Sequence, residues 1–171
     1  MLSSKHHPEF ITITCLDWQP LLANDSFKDI VVDSLRFLGK ENKITIYDFV
    51  IMETHFHLIW QIRGDHKRGD VQRDFLKYTG QQILRRLRKE HSLLAETLHV
   101  ASKDRKYQVW QRNSLVISLE SHGVFIQKLN YIHNNPVKAG LCGLPEEYRY
   151  SSARFYEMNE RDWDFVTHYE G

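Results

Sequence analysis

His55 and His57 stand one residue apart in the apolar run HFHLIWQIR, from His55 to Arg63. On an extended strand alternate side chains share a face, roughly 7 Å apart along the chain. Two neutral imidazoles so placed can converge on one divalent cation. Two histidines alone do not fill a coordination shell, so a third protein ligand, substrate oxygens or water must complete it. Without such a partner, the same pair reads as two half-exposed polar side chains. A second candidate group lies in LNYIHNNPVKAGL, from Leu129 to Leu141. Phe125, Leu129 and Ile132 form the packing stripe of a helix there. Tyr131 falls off that stripe, on a side shared with Val124, Lys128 and Asn135. An accessible phenol beside a cation can act as a nucleophile; the plainer role is a ring that packs and a hydroxyl that bonds a neighbour. Pro136 is expected to end this helix and to steer Asn135 away from helical geometry. The Asn135 amide oxygen is a candidate third metal ligand.

The elements that must position these residues follow from periodicity. Phe10 to Leu16 (FITITCL) alternates and is β-branched, as a strand requires. Asn24 to Gly39 places Phe27, Ile30, Val31, Leu35 and Leu38 on one helical stripe, with Gly39 as its stop signal. Lys43 to Met52 (KITIYDFVIM) and His55 to Arg63 are strands joined by a tight turn at Glu53 and Thr54, an antiparallel hairpin. Asp70 to Glu90 is a long amphipathic helix with Leu76, Thr79, Ile83 and Leu87 inward. Residues 92–109 show no clear period. Ser114 to Leu119 is a fourth strand and Glu120 to Asn134 a third helix. The order β-α-β-β-α-β plus a helix defines an α+β, ferredoxin-like split βαβ arrangement with a four-stranded antiparallel sheet. Two helices cover one sheet face, and the other is free for the last helix or a ligand. Phe56, Leu58 and Trp60 point toward the two helices, which puts both histidines on the opposite face. Residues 1–145 form the domain with the chemistry. Residues 146–171 form a polar, aromatic tail, and Trp163 and Phe165 suggest that it docks on or near that domain.

A chain of 171 residues, 42% hydrophobic and 26% charged, is long enough for one domain with a proper core and is not disordered in composition. Its formal net charge of +1 does not announce nucleic-acid binding, so any basic surface must be local. Arg85, Arg86, Arg88 and Lys89 form one cluster; Lys103, Arg105 and Lys106 form another. Two cysteines exclude a disulfide framework or a cysteine metal site, and Cys15 reads as a buried free thiol. No apolar stretch has the length of a membrane span, and Met1 to Glu9 lacks a signal-peptide plan. The default expectation is a cytoplasmic protein without a membrane.

Three stretches in order, METHFHLIW (Met52 to Trp60), YIHNNPVKAGL (Tyr131 to Leu141) and YRYSSARFY (Tyr148 to Tyr156), together with VWQR (Val109 to Arg112), resemble the REP-associated tyrosine transposases. These belong to the HUH single-strand endonucleases and are related to small insertion-sequence transposases. The resemblance spans nearly the whole chain. Glu53 and Thr54 stand where the family pattern commonly has Pro-Asn before the histidines, which alters the turn and leaves the histidines in place.

The resemblance implies an endonuclease that nicks and rejoins single-stranded DNA through a 5′-phosphotyrosine. Tyr131 would be the nucleophile, and His55, His57 and Asn135 would ligate Mg²⁺ or Mn²⁺. The implied partner is a hairpin or palindromic repeat, with monomer or homodimer left open. Arg112 and Lys138 lie within resemblance stretches and are candidate DNA contacts. Lys128, Arg85, Arg86 and Lys89 are candidates on charge. Free tyrosine titrates near 10, so something must take or repel its proton; a metal or Lys128 could, whereas His133 falls on another side of the helix and is not assigned as a base. No Walker-type loop is present, and none is needed if bond energy is kept in a covalent intermediate. Two other readings remain at this point: a non-catalytic single-strand-binding module and a metal phosphodiesterase that activates water.

Overall fold

The computed structural model describes residues 5–170. Four strands, β1 (Glu9–Thr14), β2 (Ile44–Ile51), β3 (His55–Ile62) and β4 (Leu115–Ser118), form one antiparallel sheet in the order β2-β3-β1-β4. Helices α1 (Asp25–Lys40) and α2 (Arg68–Lys89) pack on one face, followed by the short α3 (Leu94–Thr97). Helix α4 (His122–Lys138) lies on the other face, and α5 (Ala153–Met158) follows it. This is the α+β, split βαβ architecture expected from the element order. Among the described residues no helix is long and apolar enough to cross a membrane.

Strand alternation divides the core in two. Ile11, Ile13, Phe56, Leu58 and Trp60 are buried against α1 and α2. Phe10, Val50 and Ile59 are buried on the opposite face with Phe125, Leu129 and Ile132 of α4. The alternation is broken once, by a bulge in β2 between Ile46 and Asp48. A strict period of two would put those residues on one face. The extra residue instead leaves Ile46 in the first core and turns Asp48 toward α4.

Asp48 there is fully buried. Its Oδ1 lies 2.9 Å from His133 Nε2 and also accepts from the Ser152 hydroxyl. Burial alone would lower the His133 pKa, but the charge of Asp48 and its hydrogen bond more than offset this and hold it above the ordinary value. This pair ties the middle of α4 to the sheet.

Two helix ends differ from expectation for the same reason. Gly39 does not stop α1; it is an ordinary helical residue. Asn42, at φ 54°, is the terminator, with Lys43 N–H donating to Leu38 O (3.0 Å) and Asn42 N–H to Gly39 O (3.0 Å). Pro136 does not stop α4 either. The helix runs through it to Lys138 and ends at Gly140 (φ 74°), where Leu141 N–H donates to Pro136 O (3.0 Å) and Gly140 N–H to Val137 O (3.0 Å). So close to the end, proline forgoes a single helical bond while its fixed φ suits the helix. Asn135 therefore stays helical, one turn beyond Tyr131.

The segment after α4 runs along the outer edge of β2. Tyr150 O accepts from Ile51 N–H (2.8 Å), the Ser152 hydroxyl from Phe49 N–H (2.9 Å), and Ile46 O from Thr167 N–H (2.8 Å). The hydroxyls of Tyr148 and Tyr156 donate to Ile51 O and Tyr47 O, each at 2.7 Å. Trp163 and Phe165 pack on Phe49, and Tyr169 stacks on Phe125.

Replacing His133 with leucine strands the Asp48 carboxylate in a dry seam, and the expected cost is about 3–5 kcal/mol in urea unfolding. The double change Asp48→Leu with His133→Leu should recover most of that loss. If the single variant is as stable as the parent, the pair does not hold α4.

Candidate active site

In the β1–β3 ladder Thr12 stands opposite His57 and Thr14 opposite His55. The register brings Thr12 Oγ1 to 2.8 Å from His57 Nδ1. Thr54, the last residue of the hairpin turn, places its Oγ1 3.0 Å from His55 Nδ1. Each imidazole is thus engaged at Nδ1 by a threonine hydroxyl. When those hydroxyls accept, both Nε2 lone pairs are free for a ligand. The ring centres are 4.9 Å apart.

The two Nε2 atoms have different surroundings. His55 Nε2 lies 3.3 Å from Asn135 Oδ1, a contact that depends on α4 continuing through Pro136. His57 is 3% exposed, and its Nε2 is buried with no hydrogen-bond partner. A buried polar atom left unpaired is costly and uncommon. A cation between His55 Nε2, His57 Nε2 and Asn135 Oδ1 would satisfy it, so the residues present fit a divalent metal. Among the described residues no cluster of three His, Cys, Asp or Glu side chains could hold a metal. An ion here would therefore use two imidazoles and an amide and draw further oxygens from substrate or water, as suits Mg²⁺ or Mn²⁺.

Electrostatics keep the imidazoles neutral, the form that ligates. Burial, then the neighbouring His55 and Lys128, push the His57 pKa down to about 3. Burial also lowers His55, opposed by the hydrogen bond that Asn135 Oδ1 can accept from the ring.

Tyr131 forms the solvent side of the site and is 41% exposed. Its ring sits edge-on to His57 (5.3 Å) and to Phe10 (5.9 Å). Lys128 Nζ lies 5.6 Å and Lys138 Nζ 5.8 Å from its ring centre. Phe10 stacks on His57 at 5.4 Å and completes the dry wall beneath.

The structure therefore brings His55, His57, Tyr131, Asn135, Lys128 and Lys138 together. Arg112 follows Gln111, whose N–H donates to Thr14 O (2.7 Å), so it lies at the same end of the sheet; its guanidinium is 3.4 Å from both Asp104 and Ser102. Arg85, Arg86 and Lys89 are not brought to the site. They line a groove of about 730 Å³ between α1 and α2, with the sheet standing between them and the imidazoles. Charge clustering on a helix did not say which face of the sheet would carry it. Sequence reasoning missed Thr12 and Thr54, whose signal was cross-strand placement opposite or beside the histidines. It also missed Trp18, whose ring lies 5.7 Å from His55.

No family model matches the chain. No curated protein matches it in sequence. Its fold is similar to that of a REP-associated tyrosine transposase solved bound to a REP hairpin, with a TM-score of 0.65 and 16% identity over 96% of this chain and 88% of that one. It is also similar to a candidate transposase from Deinococcus radiodurans, with a TM-score of 0.52 and 14% identity over 78% of this chain and 94% of that one. At these identities the likeness establishes a shared fold.

The His57 shift has a measurable consequence in metal-free protein. The unfolded chain takes up this proton near pH 6.5, whereas the folded chain refuses it until about pH 3. The stabilisation is complete above pH 6.5 and is lost as pH falls toward 3, by about 1.4 kcal/mol per unit for this group. Urea midpoints taken in chelator from pH 7 to 4 should fall with pH, and His57→Gln should fall less steeply. Equal slopes would show that His57 does not stay neutral.

Proposed function

We propose that the chain is a metal-dependent, transposase-type endonuclease that nicks and rejoins single-stranded DNA, taking a hairpin or palindromic repeat as substrate. The observation that carries this reading is the buried, unpartnered Nε2 of His57, beside His55 Nε2 and Asn135 Oδ1 and directly under Tyr131. The fold likeness to a transposase bound to a REP hairpin supports it and motivates the choice of substrate.

His55, His57 and Asn135 would hold Mg²⁺ or Mn²⁺, which supplies Lewis-acid polarisation of a scissile phosphate oxygen. Tyr131 attacks phosphorus through its hydroxyl oxygen. An O–P bond to tyrosine forms, the P–O3′ bond breaks, and the departing 3′-oxygen leaves as a hydroxyl carrying the proton that tyrosine gives up. The product is a 5′-phosphotyrosine, and attack by a free 3′-hydroxyl reverses the step and rejoins the strand. Because one phosphoester replaces another, no nucleotide triphosphate is consumed. Lys128 and Lys138 flank the ring and place positive charge where phenolate and phosphate oxygens carry negative charge. Arg112, at the same end of the sheet, would meet the DNA backbone.

The role assigned to Tyr131 is what separates this reading from its rivals. A binding module has no use for a cation site under a tyrosine, and a water-activating phosphodiesterase would not need the phenol. Incubation with labelled single-stranded hairpins and Mn²⁺ should give a denaturant-resistant protein–DNA adduct. Tyr131→Phe should abolish adduct and cleavage together, on the order of 10³-fold or more, and chelator should do the same. Cleavage that survives Tyr131→Phe would assign the site to a water-using enzyme, and binding without cleavage in the parent would assign it to a binding module.

Thr12→Val removes the oxygen that engages His57 Nδ1 without touching the proposed ligand atom. Mn²⁺ affinity, followed by titration calorimetry, should weaken about 10- to 100-fold. An unchanged affinity would show that Thr12 does not orient His57.

A further inference from the structure

Four tryptophans are present, and three have evident structural work. Trp60 is fully buried, Trp110 nearly so, and Trp163 donates its indole N–H to backbone carbonyls at Arg149 and Ser151. Trp18 is different. It is 63% exposed, and among the described residues its one ring contact is the edge-on approach to His55 at 5.7 Å.

The backbone under it is unusual. Asp17 (φ 52°, ψ 31°) and Trp18 (φ 56°) are consecutive non-glycine residues in the left-handed region. A bulky residue rarely adopts that conformation, which persists only where surrounding structure imposes it. The anchors are clear. Cys15 N–H donates to Thr54 O (2.8 Å), Leu16 N–H to Val109 O (2.7 Å), Asp17 N–H to Gln111 Oε1 (3.2 Å) and Trp18 N–H to Cys15 O (3.0 Å). Leu22 N–H, beyond Pro20, donates to Glu53 O (2.9 Å). The turn is thus fastened to Thr54, next to His55, and to the 109–111 segment that leads into Arg112. An unfavourable backbone is held so that a large aromatic ring stands in water at the rim of the imidazole pair.

We propose that Trp18 is a base-stacking platform: it receives the nucleobase next to the phosphate that sits on the His55–His57–Asn135 group. The inference rests on the endonuclease reading for the position of that phosphate. A single strand presents a π-face at every base, and an exposed indole is suited to take one without regard to sequence. Arg112, a residue away from the turn's anchor at Gln111, offers a backbone contact beside it. The platform fixes where the strand lies relative to Tyr131.

The test uses the full chain and short single-stranded oligonucleotides in chelator, so that no strand is cut. As the one well-exposed tryptophan, Trp18 should be quenched by the oligonucleotide, with the same midpoint as the anisotropy of a labelled strand. Trp18→Ala and Trp18→Leu should each weaken binding about 10- to 100-fold, whereas Trp18→Phe should retain most of it. Leucine is the informative change, because it keeps apolar contact with His55 and cannot stack. All three should melt like the parent, since the ring is mostly in solvent. Leucine or alanine binding as tightly as the parent, or a parent that is not quenched on binding, overturns the platform. If Tyr131 forms its adduct but Trp18→Leu binds normally, only this inference falls. If the ranked loss appears and no adduct ever forms, the platform stands and the catalytic reading falls.

Discussion

A carboxylate taken out of water has to be answered at short range, and in this molecule the answer decides where everything else goes. The β2 bulge turns Asp48 out of the first core and into the seam beneath α4. Once there, it needs a donor from that helix, and His133 provides it at 2.9 Å. Apolar contacts from Phe125, Leu129 and Ile132 bring α4 to the sheet but leave its rotation and slide loosely specified. A buried charge pair is less forgiving. With His133 seated, Tyr131 stands two residues before it and Asn135 two residues after it, the first over His57 and the second at His55.

The site built on that register is dry below and wet above. Phe10 and the sheet remove water from His57, which keeps the imidazole uncharged and its Nε2 unsatisfied. Tyr131, Lys128 and Lys138 face solvent, where a charged polymer can reach them. Thr12 and Thr54 hold the two rings from behind. Under the proposed function, the division would keep a neutral, preorganised ligand set within reach of a long anionic substrate.

Much of this was legible in the amino-acid order. The period of two in HFHLIWQ put both histidines on the face away from α1 and α2, and the stripe of Phe125, Leu129 and Ile132 left Tyr131 off the packed side. What could not be read depended on breaks in local rules. The bulge at Tyr47 reverses the alternation on which the strand reading relies, so Asp48 gave no hint of facing α4. Pro136 usually marks a helix end, but within the last turn it is tolerated, and the true stop is Gly140. This also aimed Asn135, whose direction was open in the sequence. His133 looked like a residue on an unassigned side because its partner is 85 positions away. The basic run at Arg85, Arg86 and Lys89 was visible as charge, but its separation from the site is a property of the layered fold.

The segment from Tyr148 to Thr167 has a consequence for the molecule among its own copies. β2 is an eight-residue, largely apolar strand at the margin of the sheet, the kind of margin along which identical chains add to one another and precipitate. Here its outward amides and carbonyls are already engaged by Tyr148, Tyr150, Ser152, Tyr156 and Thr167. The opposite margin, β4, offers four residues and little to build on. A proteolytic cut after α5 would release Thr167 from Ile46 and Tyr169 from Phe125. Colloidal stability of the purified protein would then suffer, because the Ile46 end of that margin is uncovered.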